Sequence, residues 1–194
     1  MIFKKSFFSI LFVVNVITGF LSAGDLSAQA QDATFPAYGS GAIQVRLYSD
    51  YFCPPCRALE PVVEPILKNL LKKKKIELIL VDVPFHAGSP LYARYFLYAL
   101  VNKKDVDHAM HVRNLLFESA SQKEVTTKER IEELFSLKGI PHAVIDIKPI
   151  FARFNALIKE DDIQSTPTCV IVKQGKKEKY VGTPDILNAL KNLK

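Results

Sequence analysis

The sequence predicts an α/β fold: a sheet with helices on both faces that carries an all-helical insertion. Three observations predict it. Two strand-like runs, Ile43–Ser49 and Ile76–Pro84, flank a long helical pattern, the order that gives a right-handed crossover onto a parallel sheet. From Ser89 to about Asp162 the patterns are helical. Strand character returns at Thr168, in a hairpin followed by a last helix. At 194 residues, 48% hydrophobic and 24% charged, the chain has the size and composition of one globular domain with an insertion.

The first thirty residues stand apart. Lys4 and Lys5 precede a 14-residue apolar run, FFSILFVVNVITGF, and Ala28-Gln29-Ala30 supplies a small-residue cleavage site. That layout is a secretory signal peptide, residues 1–30, cleaved after Ala30. Cleavage after Ala23 and an uncleaved anchor are the alternatives, although a membrane span needs about 20 apolar residues. No cysteine follows either site, which argues against a lipidated N-terminus. Export puts the cysteines where disulfides persist.

Residues 31 to 42 are a polar lead-in containing Gly and Pro, with no strong period. IQVRLYS (Ile43–Ser49) alternates as a half-buried strand does. From Arg57 to Leu71 the apolar residues Leu59, Val62, Val63, Ile66, Leu67, Leu70 and Leu71 share one helical face, and Pro61 and Pro65 inside the pattern predict a kink or a break. IELILVDVP (Ile76–Pro84) is a near-continuous apolar run, the mark of a strand covered on both faces. Ser89-Pro90 reads as a cap and first turn, DVDHAMHVRNLLFESA as a second amphipathic helix, and Thr126 with Glu129 as a capping box before RIEELFSLKG. FARFNALIKE is a fourth, shorter helix. TCVIVK and KKEKYVG form a hairpin across Gln174-Gly175, and Thr183-Pro184 caps a terminal helix.

Charge narrows the partners. The net charge of +6 comes from scattered lysines, and only Lys72–Lys75 cluster, at a helix–strand turn. No aromatic residue interleaves them, so nucleic acid is not an expected partner. Three cysteines are too few for a disulfide framework, and a chain of this size builds a core without one.

Cys53 and Cys56, in YSDYFCPPCR, fall where the first strong strand passes into the first helix. A helix N-terminus offers unpaired N–H groups and the positive end of the dipole, which favour a thiolate over a thiol. Cys53 is therefore the expected attacking sulfur, and Cys56, one turn on, is placed to resolve a mixed disulfide. Pro54 and Pro55 between them remove N–H donors and stiffen the ring a disulfide would close. A structural disulfide and a zinc site are the competing readings; zinc would need His108 and His111, at a spacing unlike known fingers. In STPTC, Pro167 directly precedes a strand, and a cis Thr166–Pro167 bond would expose the Thr166 backbone to pair with an extended substrate segment.

Taken together, YSDYFCPPCR, Pro61, STPT and HVRNLLFE resemble the DsbA-type thiol–disulfide oxidoreductases of the thioredoxin superfamily, in their short monomeric branch, over nearly all of the chain beyond residue 30. The resemblance implies a thioredoxin-like domain, residues 31–88 and 163–194, with a helical insertion at 89–162. It implies catalytic Cys53 and Cys56, and a substrate-binding surface of Thr166, Pro167, Pro54 and Pro55. It further implies reduced exported polypeptides as substrates, a quinone-linked membrane partner for reoxidation, a periplasmic location, and neither cofactor nor metal. Isomerases of the superfamily carry an added N-terminal dimerisation module, for which the dozen or so residues after Ala30 leave no room, so a monomer is expected. Three positions depart from the family pattern. Leu47 stands where many relatives hold a buried acid, Pro-Pro fills the intercysteine dipeptide, and Cys169 follows the proline loop where an apolar residue is usual. Cys169 reads as a small buried strand residue, or as a third thiol available for copper(I). The expected function is an exported dithiol oxidase; a reductase or isomerase is the alternative within the class, and a thiol-based copper(I) carrier the alternative outside it. His86 and His142 have no partner visible in the sequence.

Overall fold

The computed structural model describes residues 35–122 and 127–193; the signal-peptide segment 1–30 and the Thr126 cap lie outside them. Five strands form one sheet: β1 (Ala37–Tyr38), β2 (Ile43–Ser49), β3 (Ile76–Asp82), β4 (Thr168–Lys173) and β5 (Lys176–Val181). Their order is β1-β3-β2-β4-β5, with β2 and β3 parallel and every other pair antiparallel. The helices are α1 (Pro54–Lys72), α2 (Ser89–Leu100), α3 (Val106–Ser121), α4 (Lys128–Leu137), α5 (Lys148–Glu160) and α6 (Thr183–Lys191). The thioredoxin-like arrangement with helices inserted between β3 and β4 is the expected fold class.

Several local expectations are corrected. The lead-in holds a strand, β1, too short to leave a period in the sequence; Pro36 and Ala37 close the open edge of β3, with Leu80 N–H donating to Pro36 O at 3.0 Å. Gly39, at φ +78°, lets the chain cross the start of β3, where a Cβ would sit 2.7 Å from Ile76 O. Pro61 and Pro65 do not break α1, which runs unbroken for 19 residues. Four residues apart, they share its solvent face, where water can take the carbonyls they leave free, while Leu59, Val63, Leu67 and Leu70 are buried. Ser89 and Thr183 are each the first residue inside a helix and make no capping bond. Thr127 caps α4, accepting from Arg130 N–H. The Gln174-Gly175 turn has positive φ at both residues, 52° and 76°, the two-residue geometry that matches strand twist.

Alternate residues of β2 face different layers. Arg46 and Tyr48 reach Asp161 at the end of α5, and Lys177 of β5 joins them; the Asp161 side chain is fully buried, with Arg46 Nη1 at 2.9 Å and Lys177 Nζ at 2.8 Å. Burial alone would raise the Asp161 carboxyl, but hydrogen bonds from Lys177, Tyr48 and Arg46 outweigh it and hold the group below the usual carboxylate range. A depressed folded value means stability that is present above the unfolded value and lost as pH falls through the folded one. Asp161→Asn is expected to cost about 2 kcal/mol near neutrality. In urea titrations the gap from the unaltered chain should shrink below about pH 4; a gap independent of pH would contradict this account.

On the sheet, α1 packs against β3, and α3 and α6 pack against α1. Here Arg113 of α3, fully buried, sends Nε and Nη2 to the two oxygens of Glu60 on α1, at 2.6 and 3.2 Å, and Nη1 to Asp82 on β3 at 3.0 Å. The rings of Tyr51, Phe96 and Phe117 line the guanidinium at 5.3–5.8 Å. One side chain from the helical insertion thus ties the active-site helix to the sheet.

Candidate active site

β2 ends at Ser49, and Asp50-Tyr51-Phe52 turn the chain into α1. The Asp50 carbonyl accepts the Cys53 N–H at 3.1 Å, which sets Cys53 as the residue capping α1, in extended conformation. Its Sγ accepts the N–H of Cys56 at 3.4 Å, the place an Asp, Ser or Thr oxygen takes in an ordinary cap. Pro54 and Pro55 occupy the first two helical positions and are exposed. Among the first three positions of α1, Cys56 alone has an N–H to give, and it gives it to the sulfur of Cys53. The two prolines therefore act less on the stiffness of the loop than on how many amides the sulfur receives.

Cys53 is 6% exposed and Cys56 1%. Burial, with the hydrogen bond to Cys53 second, pushes the Cys56 thiol well above its ordinary range. On the other side, Cys53 Sγ lies 3.3 Å from the Thr166 carbonyl, and the Thr166–Pro167 peptide is cis. The loop is held at both ends: Thr168 Oγ1 donates to Ser165 O at 2.7 Å, and Gly182 N–H to Pro167 O at 3.0 Å. The structure thus brings Cys53, Cys56 and Thr166 into one site, with Pro54, Pro55 and Pro167 beside them.

Cys169 belongs elsewhere. It sits in β4 opposite Leu47, fully enclosed, and burial pushes its thiol up to about 12. Among the described residues no group of three or more His, Cys, Asp or Glu side chains could hold a metal ion, so the three sulfurs do not gather into a copper site. The zinc reading fares no better, since His108 Nε2 is bonded to Ala99 O at 3.1 Å.

Sequence reasoning missed Asp50. Its carboxylate is buried and accepts from the amides of Phe52, Phe85 and His86, from Ser89 Oγ and from the His86 ring. It joins the turn that carries Cys53 to the loop after β3, and explains why Ser89 does not cap its own helix. Gly88 completes the junction: a Cβ there would lie 2.5 Å from the Phe52 ring. An aspartate three residues before the first cysteine, at the end of a buried strand, is the signal in the sequence that points to it.

A family profile described as thioredoxin matches residues 37–191. The chain belongs to the thioredoxin family. As a thioredoxin-family chain it shares its fold with several solved structures. The periplasmic thioredoxin-like protein of Salmonella enterica serovar Typhimurium is 24% identical, with a TM-score of 0.58, over 86% of this chain and 94% of that one. The α-DsbA1 of Wolbachia pipientis is 15% identical, with a TM-score of 0.62, over 81% and 89%. A putative protein-disulfide isomerase of Pseudomonas syringae is 14% identical, with a TM-score of 0.66, over 85% and 99%. No curated protein matches the chain by sequence. The family is thioredoxin, and the fold is one shared with solved DsbA structures.

Proposed function

We propose that the chain is an exported, periplasmic dithiol oxidase that acts as a monomer and passes a Cys53–Cys56 disulfide to reduced secreted polypeptides. The observation that carries this reading is the position of Cys53 Sγ, at the start of α1 between the Cys56 amide and the Thr166 carbonyl. A substrate thiolate attacks Cys53 Sγ, the Cys53–Cys56 bond breaks, and Cys56 leaves with the electron pair and takes up a proton. A second substrate thiolate then attacks the substrate sulfur of the mixed disulfide and releases Cys53. The substrate loses two electrons and the enzyme gains them, so a membrane electron acceptor must restore the disulfide. An extended substrate segment pairs with the Thr166 backbone and rests on Pro54, Pro55 and Pro167. The export pattern of residues 1–30 supports the compartment, where oxidation of thiols is useful.

Equilibration of the purified protein with glutathione, read by thiol trapping, tests the direction. The expected result is a dithiol that oxidises reduced glutathione and is itself largely reduced at equilibrium. A dithiol far more reducing than the glutathione couple would overturn the oxidase reading in favour of a reductase.

A further inference from the structure

We infer that His86 is a base for the incoming substrate thiol, oriented by Asp50; this rests on the oxidoreductase reading above. The geometry begins with Asp50. Its side chain is buried, and five donors converge on its two oxygens. Phe52 N–H lies at 2.8 Å and Ser89 Oγ at 2.6 Å on Oδ1; Phe85 N–H at 2.9 Å, His86 N–H at 3.0 Å and His86 Nδ1 at 3.0 Å meet on Oδ2. No lysine or arginine is among these partners.

A carboxylate so surrounded serves only as an acceptor, so the proton of the neutral His86 ring must sit on Nδ1. Nε2 is then left with a free lone pair, on a side chain that is 50% exposed. The Asp50 oxygen lies against the opposite edge of the ring and holds its orientation. A loop anchor alone would not need the ring, since the amides of Phe85 and His86 already fasten the loop to Asp50.

Position relative to the dithiol follows from the same residue. The Asp50 carbonyl holds the Cys53 N–H, while its carboxylate holds His86. The His86 ring lies 6.5 Å, centroid to centroid, from that of Phe52, the residue directly before Cys53. One aspartate therefore holds both the nucleophile's turn and a half-exposed imidazole.

In the step this permits, the substrate R–SH gives its proton to Nε2, and the resulting R–S⁻ attacks Cys53 Sγ of the enzyme disulfide. The R–S–S–Cys53 bond forms and the Cys53–Cys56 bond breaks. Cys56 takes the electron pair and a proton from water, and the imidazolium returns its proton to water. His86 is the catalytic group in this scheme, and Asp50 a positioning residue.

The test compares two substrate thiols with the oxidised full-length protein in stopped flow. A cysteinyl peptide is mostly protonated at neutral pH, since an ordinary thiol titrates near ~8.5. Thionitrobenzoate is an aryl thiolate, already ionised. His86→Gln is expected to slow the peptide reaction about tenfold or more and to leave the aryl thiolate reaction nearly unchanged. Added imidazole should restore much of the peptide rate to His86→Ala. Asp50→Asn should show the same thiol-selective loss, and because His86 is half exposed the Gln variant tests the point even if Asp50→Asn folds poorly. Equal losses with both thiols, or no loss with either, overturn the inference and leave the oxidoreductase reading standing. Failure of the unaltered protein to exchange with either thiol overturns both.

Discussion

Cys53→Ser is expected to abolish disulfide transfer to reduced substrate, reducing the rate to that of the uncatalysed reaction, whereas reduced Cys56→Ser is expected to accumulate mixed disulfides with a disulfide-bonded polypeptide. The asymmetry comes from the start of α1. Cys53 is the less enclosed of the two, beside Thr166, and its sulfur receives the Cys56 amide. Cys56 lies deeper, and burial keeps its thiol protonated far into alkaline conditions. With a disulfide-bonded substrate the exchange runs in reverse: Cys53 attacks and Cys56 resolves the mixed disulfide. Without Cys56 that intramolecular attack is lost, and the complex waits for another thiol. Non-reducing gels of reduced Cys56→Ser mixed with a disulfide-bonded polypeptide, together with alkylation rates of the reduced protein, check both halves. Faster alkylation of Cys56 than of Cys53 would reverse the assigned roles.

The second large effect is on stability. Arg113→Met is expected to destabilise the fold by about 3–5 kcal/mol, because it strands Glu60 and Asp82 in the interior without their cation. The loss should depend on pH. Burial already raises the Asp82 carboxyl to about 6, with Arg113 pulling it down. A carboxyl whose folded value exceeds its unfolded value, near ~3.9, contributes stability below that unfolded value and loses it as pH rises through the folded one. Removing Arg113 moves the folded value up and widens that window. Urea denaturation should therefore show a larger deficit for Arg113→Met at about pH 8 than at about pH 5, values above and below the folded Asp82 value of about 6. A deficit equal at both would assign the effect to lost packing against Tyr51, Phe96 and Phe117 alone.

What could be read from the sequence, and what could not, divides by the range of the interaction. Ile43–Ser49 and Thr168–Lys173 were legible as strands because their apolar residues and turn signals are local, and the structure gives them those bounds. Cys53 and Cys56 stood out because three residues of chain place both at one helix start. Thr166-Pro167 stood out because a proline before a strand is costly unless the loop has a use. The charged interior was hidden. Arg113 lies on an apolar-periodic helix, where a lone arginine is naturally assigned to solvent, and its partners Glu60 and Asp82 are 53 and 31 residues away. The contact between Asp50 and His86 spans 36 residues, and neither end has a local signature that names the other. Periodicity marks which face is buried; it does not say which buried charges meet. Ser89 failed as a cap for the same reason, since its hydroxyl answers a carboxylate 39 residues earlier.

Cys169 has a use for the experimenter. It sits in β4, between β2 and β5, with no exposed surface and a thiol held in its unreactive form. A reagent that modifies Cys53 in the native protein must wait for the sheet to open before it can reach Cys169. In a chain carrying Cys53→Ser and Cys56→Ser, the labelling rate of Cys169 becomes a native clock for that opening, and its dependence on urea separates a breathing of the β4–β5 hairpin from unfolding of the whole. The third thiol, idle in the chemistry, is a built-in gauge of how often the scaffold comes apart.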